Sequence, residues 1–227
     1  MTAIKVDIWS DIACPWCYIG THRFEAGLTE FAKSHPDVEV EIENHSYELA
    51  PDTPEHFDGD EMDFLTKHKG MPREQLEEML QHVTRIAASD GLTIDFAKLQ
   101  HSNTSRAHRV LHLAKSQGLQ AELQARLFTA YFAEGRRVSD VETLVELSEE
   151  VGLDPDEVRD AFVDEDLAEA VERDITRARM LGVGGVPVSR KRTSGFSRVC
   201  TRFQPTSRDL KVPTNCAATR VSVILAA

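Results

Sequence analysis

Two thiols three residues apart, Cys14 and Cys17 in the run Asp11-Ile12-Ala13-Cys14-Pro15-Trp16-Cys17-Tyr18-Ile19-Gly20, are the residues of this chain best suited to chemistry. Cysteines at i and i+3 share one face of a helical turn and can approach closely enough to cycle between dithiol and disulfide. The same spacing also fits two inert core cysteines or half of a zinc site. A zinc site lacks its second pair of ligands, because Cys200 and Cys216 are far apart and each stands alone. His101, His108 and His112 form no set with a nearby cysteine or carboxylate cluster and read as surface or helix-face residues, so no metal is expected.

The elements that must hold these thiols can be read on either side. Ile4-Lys5-Val6-Asp7-Ile8-Trp9 alternates apolar and polar residues, which predicts a strand with one buried face. Pro15 suits the first helical turn, where its missing N–H has no partner to lose. Phe24, Leu28 and Phe31 then continue a helix to about Ser34. Cys14 and Cys17 therefore fall at a helix N-terminus, where free N–H groups and aligned peptide dipoles favour a thiolate on Cys14. Val38 to Glu43 alternates again, predicting a second strand that could run through Tyr47 to Leu49. A strand, a helix opening on C-x-x-C and a second strand form a thioredoxin-like signal.

The run Asp11 to Gly20, with Gly182-Val183-Gly184-Gly185-Val186-Pro187 downstream, resembles the DsbA-like thioredoxin-fold oxidoreductases of the FrnE-type subgroup. That subgroup is related to 2-hydroxychromene-2-carboxylate isomerases and kappa-class glutathione transferases. The resemblance spans about Lys5 to Pro187. It implies an α/β thioredoxin-like fold with a large all-helical insertion, and a cis Val186–Pro187 bond facing the cysteines. Cys14 and Cys17 would be catalytic, with Asp11, Pro15, Trp16, Val186 and Pro187 as support. The segment Asn103-Thr104-Ser105-Arg106-Ala107-His108-Arg109 is similar to one that the isomerase and transferase relatives carry near their active sites, which makes Asn103 and Thr104 candidate contacts to substrate or glutathione. Both are also good helix caps.

The whole chain narrows the function classes. At 227 residues it can bury a substantial core without disulfide stapling. A formal charge of −12 argues against a nucleic-acid partner, which calls for a basic face. No apolar run approaches the length of a membrane span, and no basic segment with an apolar stretch precedes the first strand. The expected location is the cytoplasm, where paired cysteines are more often catalytic than structural.

From about Asp60 to Leu181 the pattern is helical, broken at Gly70-Met71-Pro72, Gly91, Gly118, Gly135 and Gly152-Leu153-Asp154-Pro155. Ser139-Asp140-Val141-Glu142 has the form of a capping box with Ser139 as the cap. The expected organisation is a discontinuous thioredoxin-like domain of residues 1–50 and 168–187, a helical insertion of residues 51–167 that overhangs the cysteines, and an atypical basic tail of residues 188–227. That tail holds Arg190, Lys191, Arg192, Arg198, Arg202, Arg208, Lys211 and Arg220 against the single acid Asp209. It lacks the alternation of a strand from Val188 onward, so the final strands and helix of the fold are expected to be missing or altered after Pro187. A change of reading frame there would explain the break.

The expected function is thiol–disulfide oxidoreduction or disulfide isomerisation, with Cys14 as the exposed attacking thiolate and Cys17 as the resolving thiol. Partners would be disulfide-containing proteins or peptides, or glutathione as co-substrate, with no bound cofactor. Two alternatives stay open: a glutathione-dependent isomerase or transferase, and a catalytically impaired binding protein.

Overall fold

Strand β1, Ile4–Ser10, is the middle of a three-stranded sheet ordered β2-β1-β3 in a computed structural model that describes residues 4–55 and 57–192. Its alternation decides what each face meets. Ile4, Val6 and Ile8 pack with Phe24, Leu28, Phe31, Val38 and Val40. Trp9 packs on the other side with Ala178, Val183 and Val188. Both faces are thus covered, and Asp7 and Trp9 are fully buried, where the sequence predicted only one buried face. The alternation marks which side chains share a side, but the second cover arrives from far along the chain.

Helix α1, Pro15–Ser34, begins on Cys14, whose extended backbone serves as N-cap without a side-chain cap bond, and has Pro15 in its first turn. Strand β2, Val40–Ser46, runs parallel to β1 in a register that sets Trp9 beside His45 and Ser10 beside Ser46. It starts two residues later than the alternation suggested and stops short of Tyr47 and Leu49.

Seven helices follow: α2 (Glu61–Lys69), α3 (Arg73–Ser89), α4 (Ser105–Ser116), α5 (Gln120–Phe132), α6 (Val141–Glu149), α7 (Pro155–Ala161) and α8 (Glu165–Met180). Asp60, Asp140, Asp154 and Asp164 cap four of them by accepting backbone N–H bonds. The cap of α6 is therefore Asp140, which accepts from Thr143 N at 2.9 Å, and not Ser139. Ser139 is itself buried, so its hydroxyl is held in the interior two residues before the helix begins.

Ile12, Cys17 and Ile19 at the start of α1 belong to the same core as Val83, Leu111, Leu123, Leu127, Phe128 and Phe132. Each fully buried side chain of this kind stabilises the fold by roughly 1.5 to 3 kcal/mol. The turn that carries the cysteines is thus wedged into the helical region. Helix α8 packs on α4 and on β2, and Gly182, at φ 75°, ends it in the left-handed conformation that glycine adopts freely.

One expectation for the end of the fold is overturned. Val188–Arg192 is not irregular; it forms β3, antiparallel to β1, with Asp7 opposite Arg190 and Trp9 opposite Val188. Val188 is buried against Trp9, while Lys191 is exposed. β3 lies at an end of the sheet as described, and charged side chains are tolerated on edge strands because one side stays open. The expectations for residues 193–227 lie outside the described residues. Among the described residues no helix is long and apolar enough to cross a membrane.

Candidate active site

Cys14 and Cys17 are both free thiols where β1 hands over to α1. Cys14 is only 3 % exposed, a correction to the expectation of an exposed thiol, and Cys17 is fully buried behind it. The Cys14 thiol donates to the Val186 carbonyl at 3.6 Å, and the Val186–Pro187 peptide is cis. Residues 172 positions apart are thereby brought into contact. Burial, with the hydrogen bond and charge of Cys14, pushes the Cys17 thiol well above its ordinary value. The Asp11 amide donates to the Cys17 sulfur at 3.5 Å and works in the opposite direction. The net effect keeps Cys17 protonated in the free dithiol.

Asp11 lies beneath the pair. Its carboxylate accepts from Leu49 N at 2.7 Å and Ala13 N at 3.3 Å, and forms an ion pair with His108 Nε2 at 3.4 Å. Burial pushes the Asp11 carboxyl up, but His108, the Leu49 amide and Thr104 outweigh it, leaving Asp11 below the usual carboxylate range. Burial likewise pulls the His108 imidazole down, and the charges of Asp11 and Glu48 more than reverse this, so His108 is raised. Glu48 is raised by its own burial.

Of the histidines read as surface or helix-face residues, His101 and His108 are buried and His112 is half-buried, and each one meets a carboxylate. His101 Nδ1 lies 2.8 Å from Glu61, and His112 Nε2 lies 3.2 Å from Asp174. His108 and His112 are four residues apart on α4, so they share one helix face, and that spacing was the signal available in sequence. It could not be used because Asp11 and Asp174 belong to distant segments.

Of the candidate contacts, Thr104 lines the cavity beside Cys14, but Asn103 does not line it. The Asn103 amide donates to Thr53 O at 2.8 Å, and its oxygen accepts from Ser105 N at 2.9 Å. It ties the loop around Thr53 to the start of α4 and does the capping work itself, since Thr104 makes no side-chain cap bond.

A cavity of about 320 Å³ opens on Cys14. Asp11, Pro15, Trp16 and Val186 line it on the side of the redox turn; Phe64, Leu65, Met79, Leu80 and Val83 close it from α2 and α3. The helical region thus covers the cysteines.

Asp7, Glu43 and His45 offer ligand atoms within 4.8 Å of one another, which is a possible cation site on spacing alone. Cationic side chains already meet two of the three: Lys115 reaches Glu43 at 2.9 Å and Arg177 reaches Asp7 at 3.3 Å. His45 has one ring nitrogen on Asp174 at 2.7 Å and the other on Asp7 at 3.1 Å. The chemistry of this donor set is that of an internal ion-pair network.

Residues 5–190 match the family model of the DSBA-like thioredoxin domain. The structure is similar to that of a probable DsbA oxidoreductase from Streptomyces coelicolor, with 36% identity and a TM-score of 0.77 over 86% of this chain and 82% of that one. The cytosolic disulfide reductase DsbM of Pseudomonas aeruginosa shares the fold at 22% identity and a TM-score of 0.60, over 87% of this chain and 89% of that one. A 2-hydroxychromene-2-carboxylate isomerase does so at 18% identity and a TM-score of 0.60, over 82% and 84%. A helix that opens on Cys14, a cis-proline facing it and a family match across most of the chain agree: this protein belongs to the DsbA-like thioredoxin-domain family.

Proposed function

We propose that the protein is a thiol–disulfide oxidoreductase that uses Cys14 and Cys17 as its redox pair. The observation that carries this reading is the position of Cys14, at the start of α1, against the Val186 carbonyl and open to the cavity, with Cys17 buried directly behind it. Cys14 attacks a substrate disulfide and forms a mixed disulfide. Cys17 then gives up its proton, attacks the Cys14 sulfur and releases the reduced substrate. The Asp11 N–H aimed at the Cys17 sulfur supports the thiolate that develops in this second step. Asp11, Pro15, Trp16 and Pro187 hold the turn in place, and Val186 faces the entering disulfide from the cavity wall.

In this reading the direction of net flow is set by the redox poise around the protein, in the cytoplasm by our proposal, where reduction is favoured. A glutathione-dependent isomerase fits the fold but leaves Cys17 without a task. Cys17→Ser should trap a mixed disulfide through Cys14, and Cys14→Ser should trap none. Non-reducing gels with mass spectrometry of the adduct are the test. Adducts formed only by Cys14→Ser would reverse the roles, and absence of adducts from both would favour the impaired binding protein.

A further inference from the structure

The cavity beside Cys14 has a chemical character of its own. The Cys14 residue is 3 % exposed, so a reagent meets its sulfur by entering the cavity and not from open surface. Much of the wall is apolar: Trp16, Phe64, Leu65, Met79, Leu80 and Phe96. Among the described residues its ionisable lining is Asp11, Glu61, His68 and His101, together with Cys14, and no lysine or arginine. Asp11 is held ionised by His108, and Glu61 is buried against His101, whose ring stacks on Phe64. A cavity of about 150 Å³ is enough for benzene, so about 320 Å³ takes a bicyclic group or an aryl group with a short chain.

From these features we infer that the substrate of this site is a low-molecular-weight disulfide built from uncharged aryl-sized thiols, and that anionic thiols such as glutathione are disfavoured. The inference rests on Cys14 being the nucleophile, as proposed above. A carboxylate-bearing substrate would leave water for apolar walls whose two carboxylates are already paired with histidines, with no lysine or arginine among the described lining residues to receive it, whereas a neutral ring gains by leaving water. In the reaction the Cys14 thiolate bonds to one sulfur of R–S–S–R and expels RS⁻. Cys17 then bonds to the Cys14 sulfur, expels the second RS⁻, and gives its thiol proton to one of the two released thiolates. Two electrons pass from the protein dithiol to the substrate disulfide, which is the oxidant.

The test compares neutral 4,4′-dithiodipyridine with the dianion 5,5′-dithiobis(2-nitrobenzoate) and with oxidised glutathione, all reacting with reduced full-length protein in which Cys200→Ser and Cys216→Ser remove the two other thiols. Each rate is divided by the rate at the same thiols in guanidinium-unfolded protein, which cancels intrinsic reactivity. The neutral probe is expected to exceed both anionic probes by about tenfold or more, the size of effect that one unfavourable charge contact of ~1.4 kcal/mol produces. Glu61→Gln should narrow that gap, and Leu80→Trp, which fills the cavity, should slow the neutral probe more than the anionic ones. Equal normalised rates in the wild-type protein, or faster glutathione, would overturn the inference whatever the variants do, and would leave Cys14 as nucleophile. Survival of all three reactions in Cys14→Ser would instead remove the reading on which the inference rests.

Discussion

Helix α4 carries two histidine–carboxylate clusters one turn apart, and they are built for different work. His108 meets Asp11 at the end of β1, directly beneath the cysteines. His112 meets Asp174, which also accepts from Ser46 N at 3.0 Å and contacts His45, which in turn reaches Asp7. The second cluster joins α4, α8, β2 and β1, and Trp9 stacks on His45 at 4.5 Å to seal it. The first joins α4 to the turn after β1 and, through the Leu49 amide, to the loop after β2, and it touches a sulfur. Similar residue types therefore serve as a cross-brace in one place and tune a thiol in the other, and what distinguishes them is the number of elements that each one joins.

The largest effect should come from breaking the brace. Asp174→Ala leaves His45, His112 and the Ser46 N–H without their shared acceptor, and breaking a buried network of this kind costs about 3 to 5 kcal/mol. For a chain of this size the thermal midpoint should fall by roughly 10 °C. Alkylation of Cys14 in the molecules that remain folded should keep its wild-type rate. A changed Cys14 rate at unchanged stability would erase the distinction between the clusters.

Asp11→Asn should have the opposite balance. It removes a charge that helps to hold the Cys17 thiol up while keeping an acceptor for the Leu49 amide. Cys17 then ionises more readily, and each 1.4 kcal/mol of relief gives about tenfold more thiolate. Single-turnover kinetics should record a shorter-lived mixed disulfide at neutral pH, with a smaller change in stability than Asp174→Ala causes. A longer-lived adduct would contradict the role given to Asp11.

A subtler separation lies in pH. The raised value of His108 makes its pairing stabilising below about pH 6.5, with the contribution lost as pH rises through the folded-state value above that. The lowered values of Asp11 and Asp174 give stability that is present above the ordinary carboxylate range and lost as pH falls through their folded-state values. The Asp11–His108 pair thus has an acid and an alkaline limb, and Asp174 contributes an acid limb. Urea unfolding of wild type and His108→Gln across pH 6 to 9 should show a wild-type decline with rising pH that the variant lacks. An identical slope in both would place the alkaline limb elsewhere.

Lys5→Gln sets the lower bound. Its ion pair with Glu41, at 2.6 Å, has both side chains about half exposed, so its loss should cost less than about 1 kcal/mol and should weaken with salt. A loss as large as that from Asp174→Ala would mean that ion-pair count, and not burial, ranks these contacts.

The two thiols, the strand before them, the helix they open and the helical text downstream were determined by sequence alone, because period two, period 3.6, proline and C-x-x-C all act within a few residues. The resemblance added Val186 and Pro187, and the structure sets that carbonyl on Cys14. Long-range pairing was left to the tertiary structure. His108, His112 and His101 read as surface residues because their partners Asp11, Asp174 and Glu61 lie 40 or more positions away, and a histidine is held in the interior only once such a partner is brought to it. Val188–Arg192 read as irregular because its charges break the alternation, yet β1 offers an edge where the backbone can pair while Lys191 stays in water. The chemistry of Cys14 and Cys17 was legible in the chain; burial, the walls of the cavity and the charge around the sulfur were decided by segments that meet only when it folds.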